Sequence, residues 1–178
     1  MPRYEPTDHF IKKRVDVDDS DRSMTFGPGR ARRGGPFDPG AENLYVLGLA
    51  GSGRRALAEA AARKLGLAFA DLTGEAATSQ ALDELLASHG RVAALGRAAL
   101  DHPAMQKALA ASRAYFLLAD LPLLMERLGR DESLRQRLLA DLADLEPRAM
   151  ALSRHTLRAS KDVDELLADL EMTLAMPL

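Results

Sequence analysis

No cysteine occurs in the 178 residues, which excludes disulfides, thiol catalysis and cysteine-ligated metal sites while leaving the compartment open. Aromatic residues make up only 4%, so leucine and alanine must fill most of a core, and a hydrophobic content of 47% suffices for one. No apolar run is long enough to span a bilayer, and the N-terminus has no continuous apolar stretch of the signal-peptide type. A net charge of −2 offers no global attraction to nucleic acid or to an anionic membrane. The four histidines, His9, His89, His102 and His155, lack metal-ligand spacing among themselves, and no Ser-His-Asp grouping stands out. The expectation is a cytoplasmic protein with no membrane, nucleic-acid or metal partner.

The chain divides near residue 42. Residues 1–42 hold 10 of the 22 glycines and prolines, with 8 basic and 8 acidic residues and no sustained period. Such a segment buries too little apolar surface to offset the entropy of ordering it, so it reads as a flexible, disordered arm. Its charges are segregated into an acidic run at Asp16–Asp21 and a basic run at Gly29–Gly35. Arg30, Arg32 and Arg33 read either as a docking patch for phosphate-rich or acidic partners or as a solvated stretch. The short island HFIKKRV (His9–Val15) is the other candidate for contact with a protein partner or with the domain.

From Asn43 the texture changes. NLYVLGL is a β-prone run, and RRALAEAAARKLG is a helix pattern with Gly66 as its stop. LAFADL reads as a strand, Ser79–Gly90 as a helix, RVAALG as a buried strand, PAMQKALAASR as a helix that His102 starts, and AYFLLAD as the clearest strand. Pro122 opens another helix, Leu134 to Leu152 is mostly helical, His155–Ala159 is weakly extended, and KDVDELLADLEMTLA closes as a helix. Met125, Met150 and Met172 sit at helical positions and read as core filler. Strands alternating with helices predict right-handed crossovers and a three-layer α/β fold, a parallel sheet flanked by helices, over residues 43–178.

The strand-to-helix turn carries the chemistry. Gly48, Gly51 and Gly53 match the glycine spacing of the phosphate-binding pattern G-x-x-x-x-G-K-[ST], with Ser52 between them. Glycines let backbone N–H groups turn toward an anion, and the helix dipole adds partial positive charge. The lysine position, however, holds Arg54, and the hydroxyl position holds Arg55. Two cations in the first turn oppose the macrodipole, by roughly 0.3–1 kcal/mol each, unless an anion answers them. Three readings stand open: both swing into solvent, both pair with Asp71 or Asp120, or both hold a phosphate without metal.

NLYVLGLAGSGRRALAEAAARKLGLAFADL resembles the opening of shikimate kinases, small P-loop phosphotransferases. VAALGRAALDHPAMQKAL is similar to that family's strand and glycine-rich turn, AYFLLADLPLLMERLGRD to its next strand and helix, and LRQRLL to its lid segment. The likeness covers about Asn43 to Leu170 and implies the P-loop kinase fold, with ATP or ADP as cofactor. It also implies a substrate side at Asp71, Gly96 and Arg148.

The departures fall at the chemistry. By the resemblance, the lysine would reach the terminal phosphates and the next hydroxyl would bind Mg²⁺. Arg54 is a bulky planar fork, and Arg55 puts a cation where the metal would sit. The family's second acid is Thr73, its glycine triplet is Gly96-Arg97-Ala98, and Leu152 stands where a tyrosine would follow Arg148. Only 20 residues separate Asp71 from Val92, and no arginine or lysine occurs from Leu65 to Gly90, so the substrate-binding insertion is missing.

The expectation is a shikimate-kinase-like P-loop protein with no assigned catalytic residue, impaired in phosphoryl transfer. It would keep a weak nucleotide or phosphate site at Gly48, Gly51, Ser52, Gly53, Arg54 and Arg55 that does not require Mg²⁺, for regulation or assembly. One alternative is an active kinase of shikimate or another small metabolite. The other is a non-enzymatic interaction module with a vestigial loop.

Overall fold

The computed structural model describes residues 36–176. Most of the N-terminal arm, including the acidic run, the basic run and the HFIKKRV island, lies outside the described residues. Five strands and seven α-helices form in them: β1 (Leu44–Gly48), α1 (Arg54–Leu65), β2 (Ala68–Leu72), α2 (Ser79–Leu86), β3 (Arg91–Leu95), α3 (Arg97–Asp101), α4 (Pro103–Ala111), β4 (Arg113–Leu118), α5 (Leu121–Leu128), α6 (Glu132–Leu152), β5 (His155–Arg158) and α7 (Val163–Leu174). A single 3₁₀ turn, Gly74–Ala76, follows β2.

The sheet is parallel throughout, in the order β2-β3-β1-β4-β5. Position in the sheet follows composition. The three inner strands carry nearly continuous apolar runs (LYVL, VAAL, AYFLL) because both of their faces are covered. The edge strands β2 and β5 carry Asp71, His155 and Arg158, and of β5 only Leu157 is buried. Helices α1 and α7 pack together, with α1 against β1, β2 and β3, while α6 packs against β1, β4, α3, α4 and α5. The result is a helix–sheet–helix sandwich. Chain excursions change side at β1, and in such sheets the crevice beyond the carboxyl end at that switch is where ligands bind.

Helix boundaries have local causes. Asp120, Asp131 and Asp162 accept backbone N–H bonds at the starts of α5, α6 and α7, the last within a capping box with Glu165. His102 starts α4 as its sequence position suggested, its Nδ1 accepting from Met105 N at 3.3 Å. Gly66 ends α1 in the left-handed conformation. The short helix α3, Arg97–Asp101, immediately after β3 was not legible in the sequence. The stretch from Leu134 to Leu152, read as mostly helical, lies in one 21-residue helix, α6, that contains the LRQRLL segment near its start and runs through Pro147.

Two expectations need correcting or extending. Met150 and Met172, read as core filler, are 45% and 61% exposed, because the inward faces of α6 and α7 are already occupied by leucines such as Leu145 and Leu170. Residues ahead of Asn43 also touch the domain: Phe37 packs on the core and donates its N–H to Leu174 O, and Glu42 pairs with the buried Arg113 at 3.5 Å. Among the described residues no helix is long and apolar enough to cross a membrane.

Candidate functional site

The loop Leu49–Gly53 leaves β1 at its buried carboxyl end and turns directly into α1. Gly51 and Gly53 adopt φ values of 81° and 91°, in the left-handed region that side-chain-bearing residues avoid. At Gly48 the constraint is space rather than torsion, since a Cβ would overlap Ser52 Oγ. Among the described residues no side chain caps the N-terminus of α1, and its first turn contains no acid. The unsatisfied N–H groups and the positive end of the dipole therefore face outward from the loop. Ser52 is only 1% exposed, and its Oγ has no hydrogen-bond partner among the described residues.

A cleft of about 540 Å³ opens over this loop. Among the described residues four cations line it, Arg54, Arg55, Arg127 and Lys161, against one acid, Glu59. Arg54 donates Nη1 to the carbonyl of Gly48, and its Nη2 lies 3.8 Å from where a Cβ on Gly96 would be. It thus spans the carboxyl ends of β1 and β3. Burial pulls its guanidinium below the ordinary value, and the charge of Asp71 pushes back. Arg55, 69% exposed, places Nε 3.3 Å from Asp71 Oδ2, while the other oxygen of Asp71 accepts from Thr73 Oγ1 at 2.7 Å. Of the open readings of the arginine pair, the Asp71 pairing is the one Arg55 adopts. Asp120 takes no part and instead accepts from Leu123 N at 3.0 Å, capping α5.

Arg127 was not singled out in the sequence. From the last turn of α5 its Nη1 donates to Gly51 O and Ser52 O, both at 3.1 Å, and its Nη2 to Ala159 O at 2.9 Å. Holding the outward carbonyls of the loop leaves the matching N–H groups to point into the cradle. The only signal available was its place as a basic residue ending an amphipathic helix, which solvated arginines share. Lys161, on the far wall, is held by Asp169 at 2.5 Å.

The residues expected on the substrate side by resemblance are dispersed. Asp71, on β2, is engaged by Arg55 and Thr73, which line the cleft. Gly96 caps α3 with extended backbone. Arg148 lies on α6 and donates to Asp101 Oδ1 and Leu100 O, both at 2.7 Å, with Asp144 at 3.7 Å. Arg97 joins the same seam through Asp141 at 3.0 Å and Asp144 at 3.2 Å. The two arginines bind α3 to α6, and neither meets Asp71. A second cavity, between Gly48, Gly96, Leu100, Phe116, Leu145 and Ala149, measures about 10 Å³, room for at most about one water.

No protein-family model matches the chain, and no curated protein matches it significantly. Solved structures do match in fold. The shikimate kinase from Acinetobacter baumannii, solved with shikimate, superposes with a TM-score of 0.65 at 19% identity, over 76% of this chain and 93% of its own. A shikimate kinase from Bacteroides thetaiotaomicron gives 0.63 at 19% identity, over 75% and 98%. A gluconokinase from Sinorhizobium meliloti 1021 gives 0.54 at 21% identity, over 78% and 94%. The strand order, the glycine loop and these superpositions together establish that the chain has the fold of shikimate kinases and other P-loop small-molecule kinases.

Proposed function

We propose that this chain is a P-loop protein that binds a phosphate group, free or on a nucleotide such as ADP or ATP, and is impaired in phosphoryl transfer, serving in regulation or assembly. The observation that carries this reading is the state of the cleft arginines. Arg54 and Arg127 meet only carbonyl oxygens, and neither pairs with a carboxylate among the described residues. A carbonyl leaves the cation's net charge in place, and that charge attracts an anion, most strongly at the part-buried Arg54. The uncapped amides of α1 point the same way.

Impairment is supported by the acceptor side. Transfer requires an acceptor held in line with the phosphate. Here Arg54 spans the gap between Gly48 and Gly96, Asp71 is engaged by Arg55 and Thr73, and Arg97 and Arg148 are bound into the α3–α6 seam. The N-terminal segment is the proposed contact for a protein partner.

Calorimetric titration of the full chain with ADP, ATP and inorganic phosphate, together with a coupled kinase assay using shikimate, tests both halves. Saturable binding without turnover is expected. Absence of binding at millimolar nucleotide overturns the anion site, and robust turnover overturns the impairment.

A further inference from the structure

We infer that the Arg55–Asp71 ion pair takes the place of a divalent cation in this cleft, so that the site selects polyphosphate anions in their metal-free form and magnesium opposes their binding. The inference rests on the phosphate-binding reading above and sharpens it from a site that does without metal to one that discriminates against it.

The residues present do not fit magnesium. A Mg²⁺ site in such a loop needs a small oxygen ligand after the first helical residue and a free carboxylate beyond the second strand. The first position is Arg55, which supplies five donors and no acceptor. The carboxylate is Asp71, whose Oδ2 is ion-paired with Arg55 Nε at 3.3 Å and whose Oδ1 accepts from Thr73 Oγ1 at 2.7 Å. Among the described residues no three acidic or histidine side chains converge to hold a metal ion.

What stands there is a cation with a different shape. Arg55 remains 69% exposed even while paired, so donors of its planar fork remain accessible to an arriving phosphate. Asp71 orients it, as a metal-side acid would orient a metal. Around it the cleft adds Arg54, Arg127 and Lys161, the last paired with Asp169, and among the described lining residues the acid is Glu59. Magnesium riding on a polyphosphate cancels part of the anion's charge, occupies the oxygens that guanidiniums would take, and brings a dication against a fixed cation. All three effects have the same sign.

The test uses the full chain and ADP as probe, titrated calorimetrically in EDTA and in excess MgCl₂ at matched ionic strength. The metal-free titration should be tighter by about tenfold, a modest fraction of what close charge pairs supply. Arg55→Thr should abolish or reverse that preference, while Arg55→Lys, which keeps a cation, should retain it. Because Arg55 is exposed, both variants should melt with the wild type. Equal or magnesium-enhanced binding by the wild type overturns the inference while leaving the phosphate site standing. An unchanged preference in Arg55→Thr overturns the assignment to Arg55. No binding in either buffer overturns the phosphate site itself, and the inference falls with it.

Discussion

On one side of Gly48 the arginines border an open cleft, where Arg55 pairs with Asp71 while Arg54 and Arg127 meet carbonyls, and on the other they border carboxylates. Among the described residues Arg54 and Arg127 hydrogen-bond only to the carbonyls of Gly48, Gly51, Ser52 and Ala159, beside a cleft of about 540 Å³. Arg97 and Arg148 are matched to Asp101, Asp141 and Asp144, beside a cavity of about 10 Å³. The residue type is the same, and the local helices are equally well formed. The difference lies in what answers the charge. A guanidinium paired with a carboxylate is neutralised in place and works as a staple between helices. One that meets only carbonyls keeps its net charge, and at the part-buried Arg54 burial makes that charge costly until an anion arrives. An arginine near a P-loop is therefore informative only together with its partner.

The strongest way to break the comparison is to fill the loop. Gly48→Val puts a branched side chain onto Ser52 Oγ and within 3.4 Å of Leu117 Cβ. Phosphate and ADP binding should be lost, and overpacking at this buried point should cost about 1–3 kcal/mol, read as a lower midpoint in denaturant titration. Retained ADP binding would place the ligand somewhere other than this loop.

Next comes Arg127→Ala. It frees the carbonyls of Gly51 and Ser52 and unlinks the loop from Ala159, so ADP affinity should fall by about tenfold, in line with the loss of charge-assisted hydrogen bonds. Amide hydrogen exchange at Leu49–Gly53 should accelerate, with little change in the rest of the sheet. Unchanged exchange there would mean that the loop holds its shape without α5.

Restoring the P-loop consensus with Arg54→Lys and Arg55→Thr sharpens the contrast, because it alters the open side alone. Nucleotide affinity should rise several-fold and become magnesium-dependent, as Asp71, the new hydroxyl and the lysine surround the metal and phosphates. A coupled assay with shikimate should still show no turnover. Turnover would mean that the α3–α6 side admits an acceptor once Arg54 is gone.

The smallest effect is expected on the closed side. Arg97→Ala with Arg148→Ala removes exposed ion pairs, which are individually weak, so the melting temperature should drop by no more than a few degrees and ADP binding should stay as it was. A large loss of ADP affinity would show that the two flanks are coupled through α6.

Much of the scaffold was legible because it rests on local pattern. The apolar runs of β1, β3 and β4, the glycine after α1 and the proline opening α4 each act within a few residues. The loop was legible too, since Gly48, Gly51 and Gly53 are required by torsion and close approach at fixed spacing. The short helix α3 was not, because Gly96-Arg97-Ala98 reads as a degraded turn and helix formation there depends on docking against α6. Arg127 was missed because its partners lie 75 and 76 residues earlier in the chain.

By itself the sequence determined the alternation of strands and helices, the place of the glycine loop at a strand-to-helix junction, and the presence of Arg54 and Arg55 where the pattern G-x-x-x-x-G-K-[ST] has a lysine and a hydroxyl. It left three fates open for the arginine pair. Only the tertiary structure paired Arg55 with Asp71 from the edge strand, brought Arg127 from α5 onto the loop, and brought Asp141 and Asp144 from α6 to Arg97. Propensity and spacing act along the chain, whereas a charge finds its partner across it, wherever the packing of apolar faces brings the two within reach.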